Sequence, residues 1–451
     1  MTSTATRPLF DAEARRLLRF GKRSRVPGGF GWLADDGSVD ASRGIQLWIT
    51  GRMTHCFALG HLLGETGGPE GPESTGGPES PDCLALAEHG VAALLDGPLH
   101  DREAGAWRSR VALEGAPVAG PLVSYDHSFV ILAAASALLA QVPRAGELLE
   151  AGLEAFERLW WDDDAGMVVD SRSPETLEVD PYRGANANMH TVEALLGAYA
   201  ATGRRLHLER ALRITSRISE QFAAHEFRLP EHYDTRWRPD LDYNKDQPAH
   251  PFRPYGVTPG HGLEWARLIV QARSALVTRS LPVPDWMLDA AEELFDRARL
   301  DGWRVDGGPG FVYTTDFSGK PIVHERMHWV ACEGISAAAA IRRALLDDGR
   351  GEIEVEHYEH HYRSWIDYAE EFLISSPGVW THELDQSNEP STRTWKGHPD
   401  IYHALQATLA SRLPVWPAMG PALAEGRLDQ PASLIPVTAQ PTRRRGFFSR
   451  G

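Results

Sequence analysis

The sequence predicts an all-α fold, an (α/α)6 barrel (toroid) with short β-hairpins on one rim, on three observations. The first is a repeat. Six histidines, His55, His127, His190, His261, His328 and His403, recur at intervals of 63 to 75 residues, each opening an apolar stretch rich in small residues. That period is too long for one helix and suits one structural unit used six times. The second is an alternation of two helix types. The third is a set of connectors sharing aromatic, Asp and Gly chemistry.

Taken in chain order, the 3.6-residue periodicity places helices near 11–22, 43–63, 83–96, 124–141, 145–160, 187–202, 205–223, 259–277, 283–299, 325–346, 352–373 and 400–412. These form six pairs. The second member of each carries the histidine and is apolar nearly all round, as in HSFVILAAASALLA (127–140). A helix apolar on every side is buried on every side. First members such as 145–160 and 205–223 instead have one apolar stripe and a charged back, as an outer layer requires. The connectors WWDDDAGMVVD (160–170), RLPEHYDTRWRPD (228–240), WRVDGGPGFVYTTD (303–316) and GVWTHELDQSNEP (378–390) read as hairpins leading toward the next inner helix. They would stack on one rim and wall a pocket over the barrel mouth.

One catalytic domain over 1–415 accounts for this pattern. Residues 64–82, with no apolar side chain, form an inserted solvated loop, and 427–451 is a Pro-punctuated, basic-ended tail expected to be disordered. A net charge of −16 opposes a nucleic-acid or anionic-membrane partner. No apolar run of eighteen residues spans a membrane, and the N-terminus has no signal h-region, so a cytoplasmic location is expected. Cys56, Cys83 and Cys332 have neither disulfide nor zinc spacing and read as buried free thiols. Fourteen tryptophans would suit a carbohydrate site, although core packing explains most of them equally well. A homo-oligomer is left open.

Six inner helices pointing their N-termini at one pocket supply orphan N–H groups and positive dipole ends. The first turns there are polar: Trp48, Arg52 and His55; Tyr125, Asp126 and His127; Asn186 and His190; His261 and Glu264; Arg326 and His328; His403 and Gln406. His190 and His261 share a pattern, HTVE and HGLE, with Glu193 and Glu264 at i+3 on the same face. Such a glutamate can orient an imidazole and raise its basicity. The same spacing can ligate a metal, but a metal centre adds a third or fourth ligand that no cysteine or DxD run supplies. No metal and no cofactor are therefore expected. His55 and His127 read as rim structure and His328 is left undecided, whereas His190, His261 and His403 sit among other polar groups where an unpaired imidazole is costly.

The segments LWITGRMTHCFALG, YDHSFV, RGANANMHTVEALL, RPYGVTPGHGLEWARL, RMHWVACEG and PDIYHALQ, in that order, resemble the N-acylglucosamine 2-epimerase superfamily, in particular its D-mannose isomerase and sulfoquinovose isomerase branch. The likeness spans about residues 10–415. It implies an (α/α)6 barrel and metal-free interconversion of a monosaccharide by proton transfer beside the carbonyl. Position by position, it implies that His261 and His403 are the acid/base pair, with Glu264 paired to His261 and Arg253 nearby. It also implies that His190 assists binding or ring opening, and that Arg52, Trp48, Tyr125, Asn186 and Trp329 hold the sugar.

The chemistry is consistent with that division. A proton α to a carbonyl needs a base near neutrality and donors on the developing enediolate oxygen. One base shuttling between C2 and C1 gives aldose–ketose exchange, whereas 2-epimerisation needs a second, facing base. The preferred expectation is interconversion of D-mannose and D-fructose, with D-lyxose as a further substrate. Sulfoquinovose would want extra cations such as Arg183, Arg253 or Lys396. N-acylglucosamine or cellobiose 2-epimerisation is a third reading. An (α/α)6 glycoside hydrolase would need two opposed carboxylates, with Asp126, Glu264 and Asp385 available. A non-catalytic sugar-binding module would leave three buried imidazoles unexplained.

Overall fold

Twelve helices lie within a few residues of where the periodicity places them. The computed structural model describes residues 6–65, 82–417 and 419–430; the insertion from 66 to 81 and the tail beyond 430 lie outside the described residues. The helices are α1 (Thr6–Gly21), α2 (Leu47–Leu62), α3 (Cys83–Asp96), α4 (Ser124–Leu139), α5 (Ala145–Ala155), α6 (Ala185–Thr202), α7 (Arg205–Ser219), α8 (Pro259–Thr278), α9 (Trp286–Gly302), α10 (His328–Asp347), α11 (Glu352–Tyr368) and α12 (Tyr402–Ala410). The last turns after α5 and α11 widen into π turns at Phe156–Trp160 and Ala369–Leu373.

The even-numbered helices form the inner ring, and α12 meets α2 to close it. They are buried on all sides, as fourteen of the sixteen residues of α2 illustrate. Small residues let them approach: a Cβ on Gly51 would lie 2.7 Å from the Phe129 carbonyl oxygen of α4. The outer helices bury one stripe. In α7 that stripe is His207, Leu208, Ala211, Ile214, Thr215 and Ile218, spaced to share one helical face. Each outer helix from α3 onward packs on the inner helix before it, and α1 packs on α12. The packed pair is thus inner-then-outer, and the two ends of the chain complete the sixth pair.

The rim differs from the expected row of local hairpins. Of the four connectors, 160–170 closes within its own bounds, through Trp161–Asp162 against Met167–Val168, and further local hairpins stand at 25–30, 100–107, 314–323 and 374–380. Elsewhere the strand entering an inner helix pairs with the connector of the next unit: 45–46 with 110–111, 122–123 with 171–172, 183–184 with 232–233, and 326–327 with 383–384. The physical reason is the orphan N–H at each helix start. Leu47, Ser124, Ala185 and His328 donate theirs to the carbonyls of Ser109, Asp170, Glu231 and His382. The connector tips are closed by aspartates. Oδ1 of Asp234, Asp316 and Asp385 each accepts the N–H groups two and four residues on.

The domain also runs past 415. A thirteenth helix, α13 (Met419–Ala424), lies across the far ends of α2, α4 and α6. Trp416 stacks on Tyr199 with ring centroids 5.6 Å apart. Arg412 bonds both Asp11 (3.4 Å) and Asp429 (2.9 Å), so residues 427–430, assigned to the tail by the sequence reading, are held against the barrel. Among the described residues no helix is long and apolar enough to cross a membrane.

His127 occupies an entirely structural setting. It lies between Trp107 and Trp160, and its Nε2 is 2.9 Å from the Gly152 carbonyl of α5. Burial lowers its pKa to about 4. The unfolded chain therefore takes up this proton near pH 6.5 and the folded chain only near 4, so the stability contributed by the neutral ring is complete above 6.5 and declines as pH falls toward 4. His127→Gln is expected to cost roughly 1–3 kcal/mol at pH 7.5. In urea titrations, the gap between wild type and variant should narrow between pH 6.5 and 4.5; a gap independent of pH would contradict a neutral buried ring.

Candidate active site

The inner-helix starts and the rim strands enclose a cavity of about 650 Å³. Its wall includes nine of the ten side chains singled out from the sequence: Trp48, Arg52, Tyr125, Asn186, His190, His261, Glu264, Trp329 and His403. The tenth, Arg253, does not line it. Arg253 bonds Asp170 (3.1 Å), lies 3.9 Å over the Tyr182 ring and so anchors the loop that carries Phe252. Phe252 itself reaches the cavity mouth, against Trp48, Tyr125 and Trp395.

Two histidine–glutamate pairs face this cavity. His261 Nδ1 lies 2.9 Å from both oxygens of Glu231, and His403 Nδ1 lies 2.9 Å from Glu333 Oε1. Trp329 lies beside both imidazoles, its ring 5.1 Å from His261 and 5.8 Å from His403. Gly260 makes room for that indole, because a Cβ there would come within 2.4 Å of it. With Nδ1–H donated to a carboxylate, each ring keeps Nε2 as the basic nitrogen. Burial lowers the His403 pKa, and Glu333 counters only part of that, so the ring is a neutral base at physiological pH.

The pairing expected between Glu264 and His261 is absent. An i+3 spacing puts two residues on one helix face, but the rim strand delivers Glu231 directly against His261. Glu264 instead approaches His190 Nδ1 (3.7 Å), which also faces Glu193 (3.6 Å). These three groups bring ligand atoms within 4.8 Å of one another, a cluster not assembled from the sequence, and the cation that it meets is a guanidinium. Arg267 is the cation nearest them, 3.5 Å from Glu193 and 3.4 Å from Glu264.

Arg52 donates to Asp400 Oδ2 (3.1 Å) and Tyr125 Oη (3.0 Å), with its guanidinium 4.4 Å from the Phe129 ring and 4.6 Å from Tyr402. Several buried polar atoms of the lining have no hydrogen-bond partner within the described residues: Arg52 Nε, Asn186 Oδ1, Glu264 Oε2, His328 Nε2 and Trp395 Nε1. Each unmade bond costs about 1–3 kcal/mol, so a ligand rich in hydroxyls would offset that cost.

Of the remaining histidines, His328 does line the cavity, its ring 3.8 Å from that of His382. Burial keeps both neutral, with His403 further lowering His328, to about 3, and His328 further lowering His382. His55 lies away from the rim. Its Nδ1 meets Ser136 Oγ at 2.7 Å, and it lines a second cavity of about 460 Å³ beneath α13.

The residues missed in the sequence are Glu231, Glu333, Asp400 and His382. Glu231 and His382 stand at one equivalent rim position, the residue whose carbonyl receives the first N–H of an inner helix. Alignment of the connectors on their closing aspartates (EHYD, HELD) carries the signal. Glu333 lies five residues after His328, inside RMHWVACEG.

The sequence profile of the N-acylglucosamine 2-epimerase (GlcNAc 2-epimerase) family matches residues 28–407. The chain is 44% identical over 424 residues to a D-mannose isomerase of Thermobifida fusca, covering 93% of this chain and 97% of that one. It is 42% identical over 414 residues to a D-mannose isomerase of Pseudomonas cannabina pv. alisalensis, covering 91% and 94%. A crystal structure of a D-mannose isomerase superposes with a TM-score of 0.78 at 26% identity, covering 91% of this chain and 99% of that one.

Glu231→Gln and Glu333→Gln test the two pairs. Each replaces a carboxylate by an amide of similar shape, which removes the charge that strengthens its imidazole. Turnover is expected to fall about 10²-fold in each, with thermal stability lowered far less than by removal of the side chain. Full turnover in either variant would detach that glutamate from the chemistry.

Proposed function

The chain belongs to the N-acylglucosamine 2-epimerase family and is an isomerase, and from that premise we propose that it interconverts D-mannose and D-fructose by proton transfer through a cis-enediolate. The observation that carries this reading is the pair of His–Glu dyads beside Trp329 over one cavity. His261 and His403 are the acid/base groups, one removing the C2 proton and returning it to C1, the other serving the carbonyl and hydroxyl oxygens. Arg52 and Asn186 donate to the oxygen on which charge develops. His190 and Glu264 act at the ring oxygen and anomeric hydroxyl during ring opening. The reaction needs no metal in this reading, because imidazoles and a guanidinium supply both the base and the charge stabilisation. D-lyxose, with the same configuration from C2 to C4, is a second substrate. The three buried, unpaired cysteines suit a cytoplasmic enzyme.

An anionic sugar such as sulfoquinovose is disfavoured. Among the lining residues the single Lys or Arg is Arg52, and Asp400 already neutralises it. Arg183 is turned to the Asp180 and Tyr182 carbonyls, Arg253 to Asp170, and Lys396 does not line the cavity. Two facing bases would equally serve 2-epimerisation, so the product must decide.

Proton NMR of EDTA-treated protein with mannose, sulfoquinovose or N-acetylmannosamine in D2O provides that decision. Fructose formed from mannose with deuterium uptake is expected. A C2 epimer without ketose would replace the reading by epimerisation, and loss of activity on chelation would end the metal-free mechanism. His261→Ala and His403→Ala should each lose about 10³-fold in kcat.

A further inference from the structure

Beneath the cavity lies a charged cluster centred on Arg267, a residue to which the proposed chemistry gives no part. Arg267 of α8 is 2% exposed, and each arm of its guanidinium faces a different glutamate. Nε bonds Glu333 Oε2 of α10 (2.8 Å), Nη1 faces Glu193 Oε1 of α6 (3.5 Å) and Nη2 faces Glu264 Oε1 of its own helix (3.4 Å). Those glutamates are respectively the partner of His403 and the two neighbours of His190. One buried cation thus stands between the two sides of the site.

We propose that Arg267 is a positioning residue that decides which of three buried glutamates carries a proton: Glu333 and Glu193 are ionised, and Glu264 is a neutral carboxylic acid facing the sugar. This inference rests on the isomerase reading for its kinetic consequence but not for its charge assignment. Three ionised carboxylates around one guanidinium would leave two uncompensated charges out of water, and closely spaced carboxylates relieve that by sharing a proton. The count of donors selects the holder. Glu333 receives Arg267 Nε and His403 Nδ1. Glu193 receives Tyr402 Oη, Gln406 Nε2 (3.3 Å) and the weaker Arg267 contact. Glu264 has one hydrogen bond, the 3.4 Å contact to Arg267, beside a longer 3.7 Å approach to His190 Nδ1, and its Oε2 has no partner in the described residues.

Electrostatics agrees in direction. Burial, then repulsion by Glu333, pushes the Glu264 carboxyl well above its usual range. For Glu193 and Glu333 burial acts the same way, but His190, His403 and Arg267 outweigh it and hold both low.

The arrangement divides labour between two sides of one sugar. An ionised Glu333 keeps His403 with a free Nε2, the form that removes a proton. A neutral Glu264 presents an O–H, the form that gives a hydrogen bond or proton to a sugar oxygen. Without the guanidinium, Glu333 would take up a proton and cease to support His403.

Difference infrared spectroscopy and pH profiles test this. At pH 7 the wild-type minus Glu264→Gln difference spectrum should show the carbonyl stretch of an un-ionised carboxylic acid, the bands from Asp126 and Glu292, whose buried carboxyls are raised to about 7, cancelling between the two proteins. Arg267→Met should gain a second such band. Its turnover at pH 7 should fall about a hundredfold, with the acid limb of kcat/KM moved up by about one pH unit and KM changed by less than about threefold. Arg267→Lys, which keeps the charge, should restore part of the turnover and return the limb toward its wild-type position. Asp400, Arg52, His328, His382 and Tyr402 also face His403 and are unchanged in these proteins. No acid band in the wild-type minus Glu264→Gln difference spectrum overturns the proposal, and this arm requires neither activity nor a folded Arg267 variant. A folded Arg267→Met with an unmoved acid limb also overturns it. Wild type inactive on every sugar but showing the band would instead remove the isomerase reading alone.

Discussion

Much of this molecule depends on how the inner helices begin. A buried helix start leaves N–H groups without partners, and in four units the first of them is given to a carbonyl of the next unit's connector. That bond does two jobs. It joins neighbouring units into a ring, and it fixes the connector so closely that its side chains, Glu231 and His382 among them, reach the cavity. Rim and active site are therefore one construction. The flat strands of two or three residues have little stability of their own; the helices they cap hold them in place.

The cavity follows the same logic one layer down. The inner helices are packed too tightly to leave unused space, so a polar residue on them must find a partner inside the ring. Most do, through carboxylates paired with imidazoles or with Arg267. Of the atoms that do not, Arg52 Nε, Asn186 Oδ1, Glu264 Oε2 and His328 Nε2 line the cavity, whereas His55 Nε2, Trp265 Nε1 and Gln406 Oε1 lie elsewhere. Distances of 2.9 Å at both Nδ1 atoms set against an unbonded Asn186 oxygen distinguish groups that the protein has already oriented from those kept for a ligand.

The fold was legible because its signal is long and local. Apolar-all-round stretches such as 127–140 cannot be mistaken for outer helices, and the histidine interval reports the unit length. The cavity-lining residues on those helices were legible for the same reason, since His190, His261, Glu264 and His403 stand within the first two turns of helices that open on one mouth. What escaped is what arrives from another unit. The partner of His261 was sought three residues along its helix and stands thirty residues earlier, on a rim strand. Arg253 was placed in the pocket by the family resemblance, but Asp170 and Tyr182 hold it outside. The strand pairings escaped likewise, because a two-residue strand carries too little pattern to name its partner.

The seam between α12 and α1 gives the ring a property that open helical repeats lack. In an open array the terminal units have one neighbour and can peel away. Here the first outer helix covers the last inner one, and Arg412 ties Asp11 to Asp429, so every unit has neighbours on both sides. Within the described residues no unit is left at an open end, and loss of any one breaks contacts with two others. Such a molecule unfolds as a whole, and the imidazole of His403, which stands on the closing helix, keeps its place only while the circle is intact.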